Sequence, residues 1–379
     1  VSESALHPEI NVFDLLVLSR IPNIGPGRMR ALVAAAGSAN ISGLTARDIA
    51  ALEGFQRKLA AQVVHFYKSE EHEEAKRFAE RQLSRSNKLE ASIISYWDKS
   101  YPELLRKIYD PPAYLFSLGE FSPMDKYCVA VVGTRTPTPY GKGVTETLSA
   151  ELARIGVTVV SGLARGIDSL AHGAALKAGG RTIGVMGSGL DVMYPPENRV
   201  LSERIAANGL VLTENDMGAK PDAVNFPKRN RIVSGMSLGT LVVETALNGG
   251  AMITANIALD QNREVFAVPG DIRTKQSQGC HALIRSGRAK LVESVEDIVA
   301  ELESKLRPLL QHSAKPQKAP PSLTLFEKKI YDVLTVDPVH IDVVAELAGL
   351  TTSEALVHLL GLEFKNGVKQ MAGKLFVKL

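Results

Sequence analysis

The chain has 379 residues, 45% hydrophobic and 22% charged, with a formal net charge of +3. That length exceeds one ordinary core at ~100–200 residues per domain, so two or three domains are expected, and with so small a charge excess any nucleic-acid partner must be met by basic residues gathered on one surface. The two cysteines, Cys128 and Cys280, form neither a metal-ligand spacing nor a disulfide framework; no run approaches ~18 uncharged apolar residues, and the opening VSESALHPEI lacks a signal-peptide profile, so a reducing, cytoplasmic setting without a membrane partner is expected.

Residues 1–88 read as a helical domain, with Leu, Ile, Ala and Val recurring at three- and four-residue spacing. Within it, IPNIGPGRMRAL (residues 21–32) has the pattern of a helix-hairpin-helix, which holds DNA phosphate with backbone N–H groups, or of an ordinary helical turn rich in glycine. The domain ends in SEEHEEAKRFAERQ, a solvated helix with neighbouring opposite charges. Residues 89–305 alternate short apolar runs with helical segments. YCVAVVG, VTVVSG, TIGVMG, LVLTE, GTLVVE and EVFAVPG each read as a buried strand ending in Gly or a polar residue. Repeated strand–loop–helix units imply an α/β, Rossmann-like, doubly wound and mostly parallel sheet. Residues 306–322, containing PLLQHSAKPQKAPPS, read as a linker. Residues 323–379 show three helical segments followed by GVKQMAGKLFVKL, a hairpin, and together they suggest a winged helix.

The chemistry concentrates in glycine-rich loops at the carboxyl ends of predicted strands. GTRTPTPYGKG starts at Gly133 and includes Arg135. SGLARGIDSLAH runs from Ser161 to His172 and includes Gly162, Arg165, Gly166 and Asp168. GSGLD contains Gly187 and Ser188. Glycine lets backbone N–H groups approach an anion, and the helix that follows offers unpaired donors and a positive dipole end, so phosphate is the natural guest. NFPKRNRIVSGMS (225–237) adds Lys228, Arg229 and Arg231 beside Asn230 and Phe226, without an acidic residue among them. Such a cluster would neutralise a nucleic-acid backbone, with Phe226 as a stacking face for a base.

Asp168 and His172 lie four apart, on one helix face. They could form an acid–base dyad, or Asp168 could simply serve the helix N-terminus. Glu244 is a pocket carboxylate or an end-of-strand residue. The G-x-G-x-x-G and Walker A patterns are absent, the Ser161-Gly162 turn is not G-x-S-x-G, and no His/Cys cluster has metal-ligand spacing. No catalytic residue, metal or cofactor is therefore expected.

In order along residues 95–290, YPELLRKIYDPPAYLFSLG, VVGTRTPTPYG, SGLARGIDSLAHGAAL, GSGLDVMYPPEN, FPKRNRIVSGMS, VVETALNGGAMITANIA and VFAVPG resemble the DNA-processing protein A family, also called DprA or Smf. The resemblance implies single-stranded DNA binding, protection of incoming strands during natural transformation and loading of the RecA recombinase. It also implies a homodimer built through the Rossmann-like domain, an N-terminal sterile-alpha-motif-like domain and, in some members, a C-terminal winged helix. By position it assigns the DNA groove to Gly133, Arg135, Ser161, Gly162, Arg165, Gly166, Asp168, Gly187, Ser188, Lys228, Arg229, Asn230 and Arg231. In YPPEN, Pro196 and Glu197 stand in a segment where many members have a lysine. Two other readings remain open. SLGTLVVE keeps Gly239, Thr240 and Glu244 of a nucleotide phosphoribohydrolase pattern without the Pro-Gly-Gly before them, and the chain could also be a small-nucleotide sensor.

Overall fold

The computed structural model describes residues 10–37, 41–313, 323–335, 338–365, 367–371 and 373–378. It divides into two compact units, Val1–Leu309 and Leu310–Leu379. The first unit opens with helices α1 (Val12–Leu18), α2 (Pro26–Ala36), α3 (Ala46–Ala50), α4 (Arg57–Phe66) and α5 (Glu70–Lys88). Local chemistry sets several of their ends. The Asp14 N–H donates to Asn11 Oδ1 at 2.8 Å, Thr45 and Asp48 form a reciprocal capping box, and α5 carries Glu70, Glu71 and Glu73 in its first turn against Arg85 and Lys88 in its last. The IPNIGPG stretch links α1 to α2, and Arg28 fastens it by donating to Asn23 O (2.7 Å) and Gly54 O (2.9 Å). These helices share one hydrophobic cluster with the sheet, running from Leu15, Leu32 and Phe66 to Phe116, Ile205 and Val211.

The α/β region follows as β1 (Ser92–Ser95), α6 (Glu103–Arg106), β2 (Tyr114–Gly119), β3 (Cys128–Val132), α7 (Pro139–Arg154), β4 (Thr158–Ser161), α8 (Ile167–Lys177), β5 (Thr182–Val185), α9 (Arg199–Asn208), β6 (Leu210–Thr213), α10 (Asn225–Gly235), β7 (Gly239–Val242), α11 (Gly250–Asp260), β8 (Glu264–Ala267), α12 (Gln278–Arg285), β9 (Lys290–Leu291), α13 (Val295–Glu301) and α14 (Glu303–Ser313). The strands form one nine-stranded sheet in the order β1-β2-β6-β5-β4-β3-β7-β8-β9. From β6 to β9 every pair is parallel, whereas β1–β2 and β2–β6 are antiparallel. All six strands expected from the sequence are present, and apart from Glu264 every residue in them is buried. Helices on both faces of a parallel sheet exclude water from alternate residues alike, which is why these strands read as continuous apolar runs. The strands β1, β2 and β9 were not expected. SIIS and KL are too short to show a period, and YLFSLG is apolar almost throughout, which a buried helix turn would be too.

Residues 306–313, expected in a linker, are instead the body of α14. Leu302, Leu306 and Leu309 recur at four- and three-residue spacing and are buried at 0%, 0% and 3% exposure, so this stretch has an apolar face to anchor it despite Pro308. The rest of the expected linker, 314–322, lies outside the described residues.

The second unit contains α15 (Leu325–Val333), β10 (Val339–His340), α16 (Ile341–Ala348), α17 (Thr352–Phe364), β11 (Val368–Met371) and β12 (Leu375–Lys378), with an antiparallel sheet in the order β10-β12-β11. Capping boxes at Thr324–Glu327 and Thr351–Glu354 start α15 and α17, and Gly349, at φ 68°, ends α16. Three helices around Ile330, Val344, Leu359 and Phe376, closed by a hairpin, make the expected winged helix. Among the described residues no single helix is long and apolar enough to cross a membrane.

If α14 belongs to the first unit's core, Leu306→Ala should lower stability by about 2–5 kcal/mol in a urea titration. A loss within about 0.5 kcal/mol, the range of a surface substitution, would return the segment to a linker.

Candidate functional site

The strand order decides where a ligand can sit. From β3 the chain moves outward to β4, β5 and β6, then crosses to β7 on the other side of β3. Loops leaving β3 and β7 therefore diverge at the carboxyl edge and leave a crevice, the usual ligand position in a doubly wound sheet. A cleft of about 430 Å³ opens there, lined by Gly133, Thr134 and Arg135 after β3, Gly162, Ala164 and Asp168 after β4, and Phe226, Pro227, Arg229 and Asn230 of α10. Its far wall is Thr245, Ala246, Gly249, Gly250, Ala251, Ile253 and Thr254, the loop after β7 and the first turns of α11. A small recess continues it past Arg135, Gly162 and Phe226 toward Arg165, Gly187, Ser188, Tyr194 and Pro195. The structure thus gathers the glycine loops and the basic segment along one edge.

The loops interlock. Thr134 N donates to Glu244 O at 2.7 Å, and Ile167 N donates to Thr134 O at 3.2 Å. Gly166 caps α8 at φ 79°, and a Cβ there would run into the carbonyl oxygens of Thr134 and Arg135, so only glycine lets the second loop seat against the first.

Arg229 is where the structure departs most from the expected contacts. It is 5% exposed. Its Nη1 donates to Gly162 O and Val185 O, which ties the ends of β4 and β5 to α10, and its Nε donates to Asn230 Oδ1 at 3.2 Å. A Cβ on Gly162 would lie 2.5 Å from the Arg229 guanidinium carbon. Asp168 grips the same loop through its N–H groups, accepting from Gly162 N (3.1 Å) and Ala164 N (3.3 Å). Burial pushes the Asp168 carboxyl up and the Arg229 guanidinium down to about 10, and each charge opposes the shift of the other. Both residues brace the cleft floor, and their hydrogen bonds go to the protein's own groups, chiefly backbone.

Other expected residues also have internal partners. Ser161 Oγ donates to Val131 O (2.6 Å) and Ser188 Oγ to Val192 O (2.7 Å). Arg231 turns away to Glu214 Oε2 at 2.5 Å and Asp110 Oδ2 at 3.6 Å. Arg165 is exposed and paired with Glu197. What remains open is Arg135, whose guanidinium lies 5.5 Å from the Phe226 ring centroid, and exposed Lys228.

The groups that could have served an enzyme are held elsewhere. Glu244 is 1% exposed and accepts from Thr138 N (2.9 Å) and Thr138 Oγ1 (2.5 Å) at the start of α7, packed so closely on Gly141 that a side chain there would collide with its carboxylate. His172 is fully buried, with Nδ1 2.7 Å from Thr182 Oγ1. Burial, reinforced by the Arg229 charge, pushes its pKa down to about 3. The Asp168–His172 dyad is thus a pair of buried structural residues. No cluster of three His, Cys, Asp or Glu suited to a metal occurs among the described residues.

Reading the sequence missed the far wall. N-G-G before α11 is the same signal as the other three loops, a glycine turn feeding a helix, and Gly249 caps α11 with neither a side-chain cap nor an acidic residue in the first turn. Tyr194, whose ring lies 5.9 Å from that of Phe226, carried no signal that sequence alone could show.

Comparison with known proteins gives consistent matches. A family model described as DNA recombination-mediator protein A matches residues 92–303, and one described as the DprA winged helix domain matches residues 314–374. The DNA processing protein DprA of Bacillus subtilis (strain 168) is 46% identical over 212 residues, covering 56% of this chain and 71% of that protein. Protein Smf of Escherichia coli (strain K12) is 40% identical over 278 residues, 72% of this chain and 74% of it. Among solved structures, DNA processing protein A from Streptococcus pneumoniae superposes with a TM-score of 0.66 at 34% identity, covering 77% of this chain and 98% of that one. DNA processing protein A from Helicobacter pylori, solved for its single-stranded DNA binding mode, does so with a TM-score of 0.51 at 32% identity, covering 56% and 96%.

Two stability predictions follow from the floor of the cleft. Arg229→Met should cost about 3–5 kcal/mol by chemical denaturation, because it strands a buried carboxylate and two carbonyls, whereas Arg135→Ala should change stability by no more than about 0.5 kcal/mol; equal costs would refute the bracing role. His172 has an ordinary value of 6.5 and is held near 3 in the fold, so as pH falls from about 6.5 toward about 3 the unfolded chain gains a proton that the folded chain refuses. Stability is lost on that acid side, and His172→Gln should make the urea midpoint fall less steeply there; parallel curves would remove His172 as a cause.

Proposed function

The chain belongs to the DNA recombination-mediator protein A family, and on that footing we propose that its cleft binds single-stranded DNA and turns over no substrate. The observation that carries this reading is the pairing of Arg135 with the Phe226 ring above a crevice lined with glycine backbone and the uncapped start of α11. A guanidinium and backbone donors suit phosphodiester oxygens. An aromatic face suits any base, and a strand with no complement is the form of nucleic acid whose bases are free to reach it. Such contacts predict binding that depends little on sequence and strongly on salt.

The finer parts of the proposal rest on kinship. They are protection of incoming strands in natural transformation, transfer of those strands to the RecA recombinase, a homodimer built through the α/β unit, a cytoplasmic location and no cofactor. The DNA groove is assigned to the exposed members of the set, Arg135, Lys228 and Arg165, with Gly133, Gly162, Gly166, Gly187 and Asn230 supplying backbone and amide groups. Ser161, Asp168, Ser188, Arg229 and Arg231 shape it from behind. The α17 segment TSEALVHLLGLEF contains no Lys or Arg, so the winged helix is given no principal share of strand affinity.

Fluorescence anisotropy with oligo-dT, its duplex and nucleoside monophosphates separates the readings. Single strands should bind tightest, and no base should be released from monophosphates; release would restore the phosphoribohydrolase reading, and tight monophosphate binding the sensor reading. Arg135→Ala should weaken binding and lower the salt slope by about 0.7, the share of one phosphate contact. An unchanged slope would take Arg135 off the contact surface. Truncation after Leu309, which keeps the buried Leu302, Leu306 and Leu309, should leave most strand affinity; its loss in a folded protein would move the main site to the winged helix.

A further inference from the structure

Arg165 is the one cation at the recess end of the cleft that is already taken. Its Nη2 lies 3.2 Å from Glu197 Oε2, its Nε donates to Glu197 Oε1, and the two side chains are 53% and 51% exposed. Exposed pairs are usually loose because holding two long side chains together costs rotamer entropy. Here the backbone on both sides is fixed. Asn198, next to Glu197 and 7% exposed, donates through Nδ2 to Leu163 O (2.8 Å) and Ser169 Oγ (2.9 Å), so the turn carrying Glu197 is bolted to the loop carrying Arg165. The pairing is two-pronged, the geometry in which a carboxylate most resembles a phosphate to a guanidinium. Arg165 also lines the recess continuous with the cleft, beside Tyr194 and Phe226.

We propose that Glu197 is a built-in competitor for the DNA phosphate that Arg165 would otherwise hold, and that it sets how fast a bound strand leaves. The inference rests on the single-strand reading of the cleft. An arriving strand anchored at Arg135 and Lys228 gains Arg165 only by displacing a carboxylate that cannot diffuse away. As the strand departs, the same carboxylate recaptures the guanidinium. A ligand that must be handed onward needs such reversibility, and affinity differences of this kind fall mainly on the dissociation rate.

The test uses the full chain, dye-labelled oligo-dT and stopped-flow dissociation into excess unlabelled strand at two salt concentrations. Glu197→Gln should slow dissociation by about twofold to fivefold, the worth of one exposed ion pair, and steepen the salt slope by about 0.7 as Arg165 gains a phosphate. Glu197→Ala should act in the same direction. In an Arg165→Gln background neither substitution should have an effect. Dissociation from Glu197→Gln as fast as from the unaltered chain would overturn the proposal. So would slowing that persists without Arg165, since it would report only a general loss of negative charge. Failure of the unaltered chain to bind oligo-dT would overturn the single-strand reading itself, and this proposal with it; failure confined to the variants would overturn the competitor alone.

Discussion

The Arg229 guanidinium and the Asp168 carboxylate both hold Gly162, one at its carbonyl and the other at its N–H, and the carboxyl edge of the sheet takes its form from that grip. Both charges are out of water, so each is tolerated only while its hydrogen bonds are complete. Completing them ties β4, β5, α8 and α10 together at one point. Gly162 supplies the room, since any side chain would occupy the place of the guanidinium. A loop that would otherwise be free to move becomes a rigid wall, and the cleft beside it is formed before any ligand arrives.

That arrangement sorts a run of like charges by direction. Lys228, Arg229 and Arg231 are near neighbours in the chain, yet a helix turns ~100° per residue, so they point to different surroundings. Lys228 faces solvent, Arg229 the loop floor and Arg231 the carboxylates Glu214 and Asp110. One cation of three stays open to an incoming anion. On the reading proposed for the cleft, Lys228 would join Arg135 and the ion-paired Arg165 in meeting a phosphate chain, in a protein whose overall charge is nearly balanced.

The carboxylates along the same edge are equally divided in use. Glu244 closes the start of α7, Asp168 holds a loop and Glu197 neutralises Arg165. Each is satisfied by the protein itself. On the single-strand reading proposed for the cleft, its contacts are reversible electrostatic and stacking ones, and release of the strand is a property to be tuned as much as its capture.

Sequence alone determined the six central strands, their parallel order of appearance, the glycine turns at their ends and the winged helix, because these depend on local periodicity and on residues whose backbone freedom is intrinsic. It also located the glycine loops and the basic segment that meet at the cleft, though not its far wall before α11, since a doubly wound sheet brings strand ends to one edge whatever else varies. Which side chains face the ligand was decided only by the tertiary structure. Arg229 and Lys228 are adjacent and chemically alike as written, and only the packing of α10 on the loops buries one and exposes the other. The same holds for Leu306, whose apolar face gained meaning only when a core existed to receive it, and for Glu197, whose partner lies 32 positions away. Local pattern records what a residue can do; burial, charge pairing and distance across the fold select which of those possibilities is used.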